Sequence, residues 1–523
     1  MKAIRRYTGR RGVILRLLFS LLAAGAALAV CSKSSFLYPL NDWVDVNCFF
    51  TVGRGMLHGL VPYRDLYEQK GPLVYFLYAL AAAISEHSFT GVWLIECLCF
   101  SCFVYLSGKI AEMMSGLRGV FWPGAALTAV LVPVTPAFSH GGSAEELFLP
   151  VLALGLGLVL RALTEKRCLT DGEGTALGIC TAAALWTKYT FCGLFAGMGL
   201  VMLAWYIRRG HAGKLPGLIC RFLAGALGLS ALAAGYFALN GAAGDLWQAY
   251  FVNNLTAYSR NIRSGAYDPP LQNLLNNLPW SVPGALGLAW LAATGRKRGW
   301  EAAAAGFGAA GLFVFTYLNG RRYPYYALVM AVFTPLGLAA IFRGIRRLMK
   351  NRERLLRGTG AVLTALVLAA SPAVCFMLSG NTYLMKIPKE DTPQYRFAEI
   401  IRQEENPTLL NYGFLDGGFY FASGVLPETP YFCTLNISLK EMENALKRSV
   451  RQGETMFVVT RSRELDREAP YTLAGEASMV FEGRKWTYYL YRLKENAETG
   501  SPAAHLHARM DVTHFKFILG LRE

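Results

Sequence analysis

Between residues 42 and 72 the chain gathers Asp42, Asp45, Arg54, Arg64, Asp65, Glu68 and Lys70, a density of charge that the flanking sequence lacks. A carboxylate can take a proton from a hydroxyl, and a compact ammonium can sit against a phosphate, so the stretch holds parts for a transfer with an anionic leaving group. Asp45 opens a run in which Val46, Phe49, Phe50, Val52, Met56 and Leu57 have the spacing of a surface helix. A carboxylate in a first helical turn is also favoured by the helix dipole alone, which is the plainer reading of Asp45. Lys70, just before Gly71 and Pro72, suits two roles equally well: an interfacial lysine reaching to headgroups, or a cation against a lipid phosphate.

Further along, Glu145 and Glu146 follow a glycine pair and open an apolar segment, where acidic residues often only complement the dipole. Lys188 lies between two apolar halves, at a depth where a charge is costly and tends to be paired or functional. Arg321 and Arg322 precede Tyr323, Tyr325 and Tyr326 at a helix start, a pattern that an aromatic belt also produces. Arg260 and Arg263 add two cations in the loop 240–278. A diphosphate or phosphate headgroup at the outer leaflet is the simplest anionic partner for such a set.

The elements that must position these residues are membrane helices. The 523 residues are 54% hydrophobic and only 17% charged, with a mean hydropathy of +0.31, and apolar runs recur through the first 380 positions. The net charge of +17 comes from short basic clusters between those runs, a topology signal that excludes a nucleic-acid footprint. The 11 cysteines form no CxxC pair and suggest neither a zinc site nor a disulfide framework. The run 13–30 follows a basic N-terminus and reads as an uncleaved first helix rather than a signal peptide.

Spans are expected at 13–31, 90–108, 119–137, 146–163, 174–187, 190–207, 217–239, 279–294, 302–318, 324–342 and 358–379. The run 72–85 makes about 21 Å of helix against a hydrocarbon core of about 30 Å. Read as a surface helix, it leaves every basic cluster on the N-terminal side, giving eleven spans with the N-terminus cytoplasmic and the C-terminus outside. From 381 to 494 the pattern changes to that of a small extracytoplasmic α/β domain. Helices are expected at 395–405 and at 438–452, the latter capped by Ser438, and strands at 408–412, 455–460 and 486–493. The tail 495–523 carries no usable pattern.

The order of these features resembles the GT-C superfamily of membrane glycosyltransferases, in the branch of protein O-mannosyltransferases and lipid A aminoarabinose transferases. The resemblance rests on Asp45 after the first helix, the phrase GxVPYRDxYExKGPLxY at 59–75, Glu145 or Glu146 opening the fourth span, Thr187-Lys188, and RYPYYAL at 322–328 before Pro335-Leu336. The loop phrase is fairly specific and the other features are useful only in order.

What the resemblance implies is an inverting transfer of a sugar from a polyprenyl-phosphate donor to an acceptor hydroxyl on the outer face of the plasma membrane. Asp45 would be the general base or the carboxylate that positions the acceptor, and Glu145 a second acidic residue near it. Lys70 and Lys188 would hold the donor phosphate, with Arg64, Glu68, Glu146, Arg321, Arg322 and Tyr326 as further binding residues. The catalytic domain would be 1–380, including the first outer loop 32–89. The implied partners are the lipid-linked sugar, membrane lipids and an acceptor that is a protein, a wall polymer or another lipid, with no nucleic acid. No metal motif is visible and no cofactor is expected, although the oligosaccharyltransferase branch leaves open a divalent ion held by Asp45 and Glu145. The rival readings are a transporter or flippase of lipid-linked sugars, and a non-catalytic assembly or sensor protein. A flippase calls for midplane charges or internal repeats, of which Glu96 is the one candidate charge.

Overall fold

The computed structural model describes residues 10–258, 268–349, 353–481 and 483–495. Arg260, Arg263 and the tail 496–523 lie outside the described residues. All eleven expected segments contain helix, and the chain is a polytopic membrane protein with a small sheet near its C-terminus. Among the described residues seven helices are long and apolar enough to cross a membrane, and three shorter apolar helices, Pro72–Ile84, Phe121–Leu131 and Leu278–Ala293, accompany them.

The helix Arg10–Cys31 shows why the environment must be lipid. Its small residues Ala23, Ala24 and Ala27 are buried, whereas Leu15, Leu18 and Leu22 face outward, Leu22 with 73% of its surface exposed. Large apolar side chains outside and small ones at the helix contacts is the arrangement that hydrocarbon favours.

The described residues divide into two compact units. The first takes those within Met1–Ser35, Trp93–Ala233 and Arg263–Thr382. Here the helices Cys192–Arg208 and Gly295–Tyr317 meet backbone to backbone, since a Cβ on Gly197 would strike the Phe307 carbonyl and one on Gly193 the Gly311 carbonyl. Arg16 grips Glu112 through two bonds of 2.7 and 3.0 Å, a partly buried pair between helices 10–31 and 90–115. The segment expected at 119–137 is helical only over Phe121–Leu131; Pro133 and Pro136 lack the N–H needed to carry it further. Likewise 324–342 begins as the 3-10 stretch Pro324–Phe333 and becomes α-helical at Thr334–Leu348.

The second unit takes the described residues of Phe36–Val92, Ala234–Ile262 and Tyr383–Glu523. Helix Val44–Leu57 packs tightly on Pro72–Ile84: a Cβ added at Gly53 would lie 2.5 Å from the Tyr78 carbonyl carbon. A four-stranded sheet is built from β1 (Leu409–Asn411), β2 (Phe457–Arg461), β3 (Tyr471–Phe481) and β4 (Arg484–Leu493) in the order β1-β2-β4-β3. β1 and β2 are parallel, with Leu410 opposite Val458, and β4 runs antiparallel to both β2 and β3. The amphipathic helix expected from Ser438 starts at Lys440, with Leu439 at its N-cap and no side-chain cap. Strand β3 was not anticipated.

Candidate functional site

In the second unit Asp45 sits in the first turn of Val44–Leu57, as its spacing predicts. The loop phrase brings Lys70 back to it, with Nζ 3.5 Å from Asp45 Oδ2 and 5.3 Å from the centre of the Phe49 ring. Both side chains are largely covered, 11% and 13% exposed, so the pair is only partly screened by solvent.

The residues of the phrase itself hold Lys70 in place. Tyr63, at φ 71°, donates its hydroxyl to the Lys70 carbonyl at 2.6 Å. Glu68 Oε2 accepts the Lys70 N–H at 2.9 Å and also the Tyr75 hydroxyl. Glu68 is buried, and these bonds give it a structural role beside the lysine. The loop is further tied by Tyr67 N–H to the Pro430 carbonyl, by Gln69 to Asn436, and by Asn254 to the Gln69 carbonyl. Arg64 turns to Asp65 and the Asn240 carbonyl.

The helix carrying Asp45 is clamped from the C-terminal region. Thr51 donates to Asp416 Oδ2 at 2.6 Å, and Arg54 donates to the carbonyls of Tyr420 and Gly424. Asp416 also accepts the Gly418 N–H and the Asn411 amide. It is fully buried, and that burial pushes its carboxyl up to about 6 despite the three donors. Neither Asp416 nor Thr51 stood out in the sequence; an aspartate before two glycines reads as a turn residue.

In the first unit the chain extends at Lys188, φ −156° and ψ 104°, between the helices Asp171–Thr187 and Cys192–Arg208. Its ammonium donates to Glu145 Oε1 at 2.6 Å and lies 3.3 Å from the centre of the Tyr326 ring, with Phe191 and Tyr325 each 6.0 Å away. Three expected residues, Lys188, Glu145 and Tyr326, thus meet in one place. Glu146 goes elsewhere: it accepts the Gly142 N–H and contacts Glu96, whose two oxygens also receive the Ser32 hydroxyl. Glu96 therefore belongs to a buried polar cluster with Glu146. Its signal in sequence was a lone carboxylate in an apolar run. Arg321 is half-buried and donates to the Tyr323 hydroxyl, while Arg322 is exposed and its carbonyl accepts from Asn273.

Among the described residues no three metal-ligating side chains cluster, and Asp45 and Glu145 each face a lysine ammonium, a poor setting for a divalent ion.

In sequence the chain matches no protein-family profile and no curated protein. In structure it is similar to ArnT of Cupriavidus metallidurans bound to undecaprenyl phosphate, with a TM-score of 0.59 and 15% identity over 94% of this chain and 100% of that one. It is similar to apo ArnT of the same organism at TM-score 0.59 and 12% identity, over 92% and 97% of the two chains. An oligosaccharyltransferase of Archaeoglobus fulgidus in complex with zinc and sulfate is similar at TM-score 0.45 and 14% identity, over 84% and 67%. The likeness to ArnT runs through essentially the whole chain, and the chain shares the fold of that structure, as the order of features in the sequence leads one to expect.

Proposed function

We propose that the protein is an inverting glycosyltransferase that moves a sugar from a polyprenyl phosphate to an acceptor hydroxyl at the outer face of the plasma membrane. The N-terminus is then cytoplasmic and the sheet domain extracytoplasmic. The acceptor is a protein, a wall polymer or a lipid. The observation that carries this reading is the pairing of a carboxylate with a shielded lysine at the start of Val44–Leu57, with Lys70 Nζ 3.5 Å from Asp45. The ArnT structure holding undecaprenyl phosphate supports the choice of donor lipid.

In this mechanism Asp45 takes the proton of the acceptor hydroxyl as its oxygen attacks the anomeric carbon. The bond from that carbon to the phosphate oxygen breaks, and its electron pair leaves with the lipid phosphate, which gains one negative charge. Attack opposite the leaving group inverts the configuration. The Lys70 ammonium serves the donor phosphate, whose growing charge it stabilises more in the transition state than in the ground state; the resemblance gives Lys188 a donor-phosphate role as well. Before the donor arrives Lys70 is neutralised by Asp45; once the phosphate engages the lysine, the carboxylate is available to the acceptor.

Steady-state kinetics separate the two roles. Asp45→Asn should lower kcat by about 100-fold or more with donor KM little changed, and Lys70→Met should raise donor KM as well as lower kcat. An Asp45→Asn protein with full kcat would remove Asp45 from the mechanism.

A further inference from the structure

Glu145 is bonded through one oxygen only. Its Oε1 receives the Lys188 ammonium at 2.6 Å, while Oε2, also buried, has no hydrogen-bond partner among the described residues. Two other ion-paired carboxylates use both oxygens: Glu112 toward Arg16, and Glu173 toward Arg167 and the Thr170 N–H. A carboxylate that is 1% exposed and half-satisfied is poorly explained as a brace, because an unmade buried bond is a standing penalty. The lysine, by contrast, keeps a second favourable contact, the face of Tyr326, whichever anion it meets.

We propose that Glu145 is an internal stand-in for the donor's phosphate: it neutralises Lys188 while the site is empty and is displaced from the ammonium when a polyprenyl phosphate binds. This rests on Lys188 being a cation for the donor phosphate. The arrangement makes Glu145 a specificity residue. A neutral lipid has nothing to exchange for the carboxylate, whereas a phosphate brings its own charge. It also makes release easier, since Glu145 competes with the lipid phosphate for Lys188 after transfer.

The test is a titration of the purified full-length protein with undecaprenyl phosphate, comparing wild type with Glu145→Gln, Lys188→Met and the double variant. Glu145→Gln should tighten Kd by about tenfold, Lys188→Met should weaken it by at least that factor, and the gain from Glu145→Gln should vanish in the Lys188→Met background. Glu145→Asp, which keeps the charge but retracts it by one methylene, should give a smaller gain and serves if the glutamine variant does not fold. A purely structural Glu145 predicts the opposite sign. If Lys188→Met weakens binding while neither Glu145 variant tightens it, the stand-in is wrong and the donor-phosphate role of Lys188 survives. If Lys188→Met binds as wild type does, that role fails and the stand-in with it. Competition by millimolar inorganic phosphate as strong as that of the lipid would make Lys188 a free-anion site and overturn the proposal.

Discussion

At the scale of single residues, the setting of each lysine is governed by the carboxylate that it meets. Glu68 is the sharpest case, because its oxygen accepts both the Lys70 N–H and the Tyr75 hydroxyl. Glu68→Gln puts an amide in place of a carboxylate that receives two donors, so the loop should loosen and donor KM should rise by about tenfold, with a smaller change in kcat. Tyr75→Phe should do the same to a lesser degree; equal KM values in wild type and both variants would show that Lys70 needs no such support. Residue types were legible here and pairings were not. Lys188 stood out as a costly charge and Glu145 as an acidic helix start, but nothing local links positions 43 apart. For Glu68 the type names no partner, since Tyr75 and the lysine backbone come around it only in the fold.

At the scale of elements, close helix contact depends on a few glycines. Gly197→Leu would force a side chain into the Phe307 backbone, and Gly53→Val would do so at Tyr78. Each should destabilise the protein by about 1–3 kcal/mol or more, read as a lowered Tm in detergent, whereas Gly199→Ala, with open space around it, should leave the Tm unchanged. Apolar length and periodicity made the helices legible from sequence because a lipid-facing segment cannot interrupt its own hydrogen bonding. Their ends were less so: Pro133 and Pro136 stop one helix early, and Leu439 rather than Ser438 caps another. Strand β3 escaped because its alternation breaks at the bulge between Leu473 and Gly475, where successive exposed residues hide the period of two.

At the scale of the whole molecule, segments far apart in the chain secure the helix that bears Asp45. Thr51 on that helix bonds Asp416, whose carboxyl is raised by burial from an ordinary 3.8 to about 6. The folded protein therefore binds this proton more tightly than the unfolded chain does. The stabilisation is full below about pH 4, is lost as pH rises through about 6, and amounts to about 3 kcal/mol. Lowering the pH from 7 to 4.5 should shift the Tm difference between wild type and Asp416→Asn in favour of wild type; a difference that stays constant would show that Asp416 does not titrate in this window. That long-range clamp was invisible in sequence, whereas the membrane class and the ArnT-like fold were legible from apolar runs and from the order of a few short phrases. Every role assigned to these residues depends on the transfer itself. Its most direct test is the wild-type protein in reconstituted membranes, given a panel of radiolabelled polyprenyl-phosphate sugars with candidate acceptors, beside Asp45→Asn and Lys70→Ala. Labelled acceptor and free lipid phosphate should form with wild type and one donor, and both products should be lost in the folded variants. Movement of intact lipid-linked sugar across the liposome membrane, with no transfer from any donor, would contradict it and make the protein a flippase.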